Sequence, residues 1–301
     1  MSKRSLAILA ALGATTIYGL NHTIAKGVMP MYIKPFGFIM LRVIGATILF
    51  WGISFLGPKE KVEWKDWGRI MLCSLFGMAI NMLAFFKGLD LSTPINSAVL
   101  VTTTPIIVVI LSVFLIKEKI RALKIIGIVI GLTGALFLVL YGNEIRQDAS
   151  NIPLGNALFL CNSLFFGLYL ILVKKLLEKY HPITLLKWMF LLGILYNLPV
   201  ALPDFLEVSW STLPFEAIWK MAFVVIGTTF FAYLFNVFAL TQLKASTVSA
   251  FVYVQPVIGI LFAVLSGKDT LTTVKICAAL LVLSGVYIVS KKPKPGKVGD
   301  K

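Results

Sequence analysis

Ten runs of about twenty mostly apolar residues succeed one another along this chain. They cover 5–25, 36–57, 68–87, 95–116, 123–141, 153–174, 183–202, 217–240, 246–266 and 271–290, with only short polar links between them. A run of that length is what an α-helix needs to cross the hydrocarbon of a bilayer. In lipid every backbone N–H and C=O must bond within the protein, so such runs fold as helices. The sequence therefore predicts an all-α membrane protein with ten transmembrane helices. Only 14% of residues are charged, against about a quarter in soluble domains. The longest link, Pro203 to Glu216, is too short for a separate domain. The opening MSKRSLAILAALGA has two basic residues before an apolar stretch, as a signal peptide does. Its apolar character continues to Ala25, so it reads as an uncleaved first span.

A net charge of +15 would suit nucleic acid. The lysines, however, sit in short loops between apolar runs, where they act on membrane orientation. With the N-terminus inside, 20 of the 28 Lys and Arg fall on inner segments and seven on outer ones, with Arg42 within a span. Basic residues gather on the cytoplasmic side of short loops. Both termini are therefore expected in the cytoplasm, with the chain in the plasma membrane and 293–301 as a basic cytoplasmic tail. The expected partners are the lipid bilayer and a small-molecule metabolite, with no nucleic acid. Cys73, Cys161 and Cys277 lie within apolar runs, odd in number and without metal-ligand spacing. No disulfide framework, metal site or cofactor is expected from them.

A shift of 151 residues lays the chain over itself. VTTTPIIVVILSVFLIKEKI then covers the stretch from Val252, with Pro105 on Pro256, Glu118 on Asp269, Lys124 on Lys275 and Gly134 on Gly285. A looser match joins Tyr18 to Phe166, Lys26 to Lys174 and Pro35 to Pro182. The chain thus reads as two five-helix repeats, 1–142 and 151–292. Five is odd, so the second copy enters the membrane from the opposite side. Inverted repeats place a site near the midplane between the halves, often beside interrupted helices. Pro105 and Pro256, near the middle of their spans, are the expected helix breaks. They either bend the bundle or bend it and line a cavity.

IYGLNHTIAKG from Ile17, PFGFIMLR from Pro35 to Arg42, and FFKGLDLSTPINSAVLVTTTPIIVVILSVFLIKEKI resemble the ordered motifs of EamA-type proteins of the drug/metabolite transporter superfamily. The resemblance covers nearly the whole chain in both copies. It implies a transporter of small metabolites, often an amino-acid exporter. The second copy departs from the first at Met189, which stands where Arg42 stands.

Polar side chains inside spans are costly and face a protein interior or a wet cavity. The expected substrate-binding set is Tyr18, Asn21, Asn81, Thr102, Thr103, Asn162, Tyr233, Asn236, Tyr253 and Gln255. Thr104, Ser163 and Thr228 belong to the same midspan polar groups. Arg42 either snorkels to the interface or serves as a gate or carboxylate clamp. His22 either bonds at the interface or acts as a proton site. The glycines of GIVIGLTG allow close helix packing, within the chain or between protomers. All 13 acidic residues fall in loops or at span ends, which disfavours a carboxylate-based cation site.

The expected function is secondary transport, since the sequence holds no P-loop for ATP use. The cargo is a small metabolite, an amino acid or another zwitterionic or neutral compound, exported by a monomer or homodimer. The competing readings are a membrane enzyme acting on lipid-linked groups and a non-transporting scaffold. The enzyme would need a convergent acid–base set, for which His22 with Asp90 is the nearest candidate.

Overall fold

The computed structural model describes residues 2–92, 94–141, 150–265 and 272–291, and every regular element among them is helical. The tail 293–301 and the links bearing Arg146 and Lys268 lie outside the described residues. α1 (Lys3–Lys26) starts at Ser2, whose hydroxyl accepts the Ser5 N–H. α2 (Pro35–Ser54) opens on a proline, which suits a first turn that needs no N–H partner. The third apolar run is α3 (Trp67–Ser74), a π-helical segment Leu75–Ile80 and α4 (Asn81–Leu91). The fourth is α5 (Pro94–Val101) and α6 (Thr104–Ile116), separated by a turn at Thr102 and Thr103. α7 (Ala122–Tyr141), α8 (Ile152–Leu176) and α9 (Pro182–Leu206) follow.

The eighth run mirrors the third, with α10 (Phe215–Ala222), a π-helical segment Phe223–Phe231 and α11 (Ala232–Gln242). The ninth mirrors the fourth, with α12 (Ala245–Val248), a 3₁₀ segment Ser249–Tyr253 and α13 (Val254–Leu265). α14 (Thr273–Ser290) closes the described chain. Smooth helices are thus replaced at four runs by interrupted ones. Two of these interruptions adjoin the prolines expected to break helices, which stand in the first turns of α6 and α13.

Among the described residues, seven helical runs are long and apolar enough to cross a membrane, and two shorter apolar helices span Ala122–Phe137 and Ala245–Gly259. α1 has 24 residues, but Asn21 and His22 lower its hydropathy. Arg4 Nη2 donates to the Ser290 carbonyl at 2.6 Å, so the two ends of the described chain meet at one face of the bundle.

Packing pairs α2 with α9 and α7 with α14, while α1 rests on α11 and α13 and α8 on α4 and α6. Exchanging α1 for α8, α4 for α11 and α6 for α13 returns the same set of contacts. The two matched lysines follow that exchange: Lys26 Nζ donates to the Leu89 carbonyl at 2.9 Å, and Lys174 Nζ donates to the Leu240 carbonyl. Each lysine meets a carbonyl near a helix C-terminus, where positive charge is favoured. The α7–α14 seam is built on glycine. A Cβ on Gly285 would lie 2.5 Å from the Gly131 nitrogen and 2.6 Å from the Gly127 carbonyl oxygen. The small-residue motif therefore serves packing within the chain.

Candidate functional site

A cavity opens at the centre of the bundle, with about 90 Å³ open to the centre of a water-sized sphere. α1, α2, α4, α5, α6, α8, α11, α12, α13, the π-helical segment Phe223–Phe231 and the 3₁₀ segment Ser249–Tyr253 contribute to its wall. Of the residues expected from sequence, it brings together Tyr18, Asn21, His22, Arg42, Asn81, Asn162, Tyr233, Asn236 and Gln255. Thr104 and Thr228 also line it, and Phe85, Phe86, Phe166 and Leu170 form an apolar wall.

Arg42 does not snorkel. It is 4% exposed, lines the cavity, and donates from Nε to Thr229 Oγ1 at 2.8 Å. Its guanidinium carbon lies 4.7 Å from the centre of the Phe86 ring, in cation–π range. Thr229 in turn donates to the Val224 carbonyl at 2.8 Å, a five-residue step made possible by the π-helical winding. The same segment sets Thr228, which donates to Asn21 Oδ1 at 3.0 Å.

The two runs that carry π-helical segments are tied to each other beside the cavity. Tyr233, just past the second, donates its hydroxyl to the carbonyl of Gly77 in the first at 2.8 Å. Asn81 follows the first segment directly and exchanges bonds with α8. Its Nδ2 donates to the Asn162 carbonyl at 3.1 Å, and Asn162 Nδ2 donates to the Asn81 carbonyl at 3.0 Å. In the other half Asn236 Nδ2 reaches the Tyr18 hydroxyl at 3.4 Å. His22 Nε2 donates to Gln255 Oε1 at 3.3 Å, which leaves Nδ1 to accept from the Ser97 hydroxyl at 3.2 Å. Asp90 is held by Lys87 at 2.8 Å, so the acid–base pairing of His22 with Asp90 is not formed.

Three expected residues stand apart from the cavity wall. Thr102 and Thr103 turn their hydroxyls onto the carbonyls of Val99 and Leu100 at the α5–α6 break. Tyr253 is fully buried against Gly131 of α7. Pro105 and Pro256 act on the backbone only, each beside a residue that does line the cavity, Thr104 and Gln255. Sequence reasoning did not single out Thr229 and Ser97, the partners of Arg42 and His22. Thr229 adjoins Thr228 in an otherwise apolar run, and that doublet was the available signal.

Among the described residues lining the cavity there is no Asp or Glu, and Arg42 is the one side chain with a permanent charge. The wall can pair with an anionic group, exchange hydrogen bonds and shelter an apolar body.

Comparison with known proteins places these features in a family. The model of the EamA-like transporter family matches residues 5–140 and again 153–291. An uncharacterized transporter of Archaeoglobus fulgidus is 30% identical over 277 residues, covering 92% of this chain and 96% of the relative. The uncharacterized transporter YetK of Bacillus subtilis is 24% identical over 299 residues, covering 98% of this chain and 90% of its own. A crystal structure of 18% sequence identity superposes with a TM-score of 0.75 over 95% of this chain and 97% of that one, which speaks to the fold alone.

Proposed function

The chain belongs to the EamA-like transporter family, and we propose that it exports small metabolites, amino acids or similar zwitterionic or neutral compounds, as a secondary transporter. It is a multi-pass membrane protein whose family transports small molecules across membranes. The observation that carries the proposal is the central cavity, walled by helices of both halves and furnished with Arg42 and amide groups but no carboxylate.

The mechanism is alternating access between two inverted five-helix repeats, 1–142 and 151–292. The 151-residue match, the exchangeable helix contacts and the separate family-model matches to each half support that division. Counting each interrupted run as one crossing yields ten. The meeting of Arg4 with Ser290 supports an even number, and the lysine distribution supports cytoplasmic termini in the plasma membrane. The interrupted runs supply hinges where the backbone is already free of regular α-helical bonding.

Efflux from proteoliposomes loaded with a mixed pool of amino acids and related metabolites, read by mass spectrometry, tests the proposal. Selective loss of one compound class relative to empty liposomes is the expected result. No selective loss from liposomes bearing folded protein sinks it.

A further inference from the structure

The cavity's unspent hydrogen-bonding groups are of two kinds, and their chemistry specifies how a substrate lies. One is Arg42. Its Nε is committed to Thr229 and its guanidinium lies over Phe86, its terminal N–H groups have no hydrogen-bond partner in the protein, and no carboxylate among the described residues lines the cavity with it. A cation inside a membrane bundle without a counterion is costly. A bound anionic group relieves that cost.

The other is the pair Asn81 and Asn162. Each amide bonds a backbone carbonyl, which can only accept, so the bonded atom of each side chain is its nitrogen. The two Oδ1 atoms are therefore fixed as acceptors. Neither receives a hydrogen bond from the protein, and neither is sealed from solvent. Oxygens in this arrangement repel an anion and attract N–H donors.

We propose that the cavity is a dipolar slot that holds a zwitterion end to end, its carboxylate on Arg42 and its ammonium on the amide oxygens of Asn81 and Asn162. This rests on the transporter reading and adds the ammonium pole and the orientation. Both poles lie along α4: Arg42 sits over its Phe86 ring, and Asn81 is its first residue. Met82, Phe85, Phe166 and Leu170 then face the substrate's side chain. A dianion meets the acceptor oxygens unfavourably. A simple amine finds no carboxylate and faces the Arg42 charge.

The test compares three matched series in proteoliposomes bearing the full chain: the amino acids, the 2-hydroxy acids with the same side chains, and the corresponding primary amines. Efflux is followed by mass spectrometry. Hydrogen bonds to a charged group predict amino acids leaving roughly tenfold or more faster than the matching hydroxy acids and amines. Asn81→Ala and Asn162→Ala, each assayed after a check for folded, monodisperse protein, are expected to shrink the preference over hydroxy acids to about threefold or less. Hydroxy acids leaving as fast as amino acids from the unmodified protein overturn the ammonium pole while leaving the transporter reading intact. Absence of efflux in all three series, with folded protein, overturns the amino-acid cargo of the proposed function and this proposal with it. The unmodified protein alone decides the matter if both variants misfold.

Discussion

The α7–α14 seam and the walls of the cavity are built from the same kind of apolar helix, and they solve opposite problems. At the seam, Gly127, Gly131, Gly134 and Gly285 bring two backbones into direct contact. Around the cavity, four runs are interrupted by π-helical, 3₁₀ or turn segments. Polar side chains beside these breaks, among them Asn81, Thr228 and Tyr233, bond across to other helices. Close packing fixes one arrangement. Interrupted helices with exchangeable polar partners leave the energy of alternative arrangements within reach. The molecule thus separates a rigid seam from a working centre, and mutations can show how complete that separation is.

The largest expected effect is at the seam. Gly285→Leu drives a side chain into the α7 backbone, where even a Cβ would lie at 2.5 Å. Overpacking of this kind costs about 3 kcal/mol or more where the backbone cannot yield. The expected outcome is loss of folded protein, read by thermal stability and monodispersity in detergent. A stable, active Gly285→Leu protein would break the contrast, because the seam would then be as yielding as the cavity.

Arg42→Ala is expected to do the reverse. The site loses its cation, while the buried core keeps its packing and sheds an uncompensated charge. Efflux should fall by roughly tenfold or more with little change in melting temperature. Arg42→Lys should restore only part of the rate, since an ammonium lacks the planar fork and the Nε bond to Thr229. A collapse of stability in Arg42→Ala would move Arg42 to the structural side of the comparison. Thr229→Val keeps the shape of the side chain but frees Arg42 from its anchor. The bond has a charged donor, and losing about 1.5 kcal/mol corresponds to about a tenfold fall in efflux.

Much of this was legible because apolar length and periodic repetition are direct consequences of membrane insertion and duplication. The runs, the 151-residue match and the GIVIGLTG contact surface follow from residue type alone. Asn81, Asn162 and Arg42 stood out because a polar group in an apolar run needs a reason. The π-helical segments LFGMAI and FVVIGTTFF carry no such mark, since an extra residue per turn needs no particular side chain. Thr102 and Thr103 misled for a related reason. A threonine beside a helix break can satisfy its hydroxyl on a carbonyl three residues back, and both do. Tyr253 went to the seam because Gly131 leaves a space there that fits its ring.

The smallest expected effect lies where the two halves touch outside the membrane-spanning segments. Glu118, just past α6, accepts from Lys124 at 3.2 Å and from the Ser246 hydroxyl of α12 at 2.8 Å, with Lys244 at 3.4 Å. Burial pushes its carboxyl up, but Lys124, Ser246 and Lys244 together hold it below the usual carboxylate range. A carboxyl lowered in the folded state adds stability above its unfolded pKa, and that stability is lost as the pH falls through the folded value. The unmodified protein should therefore lose melting temperature on acidification below about pH 4.5. Glu118→Gln should start lower at neutral pH and change less across the same acid range. Because the contact joins the first half to α12, the lost stability should appear with faster hydrogen exchange in α12 and the adjoining Ser249–Tyr253 segment, while α7 and α14 stay protected. Equal loss of protection in the seam would mean that the two regions open as one unit.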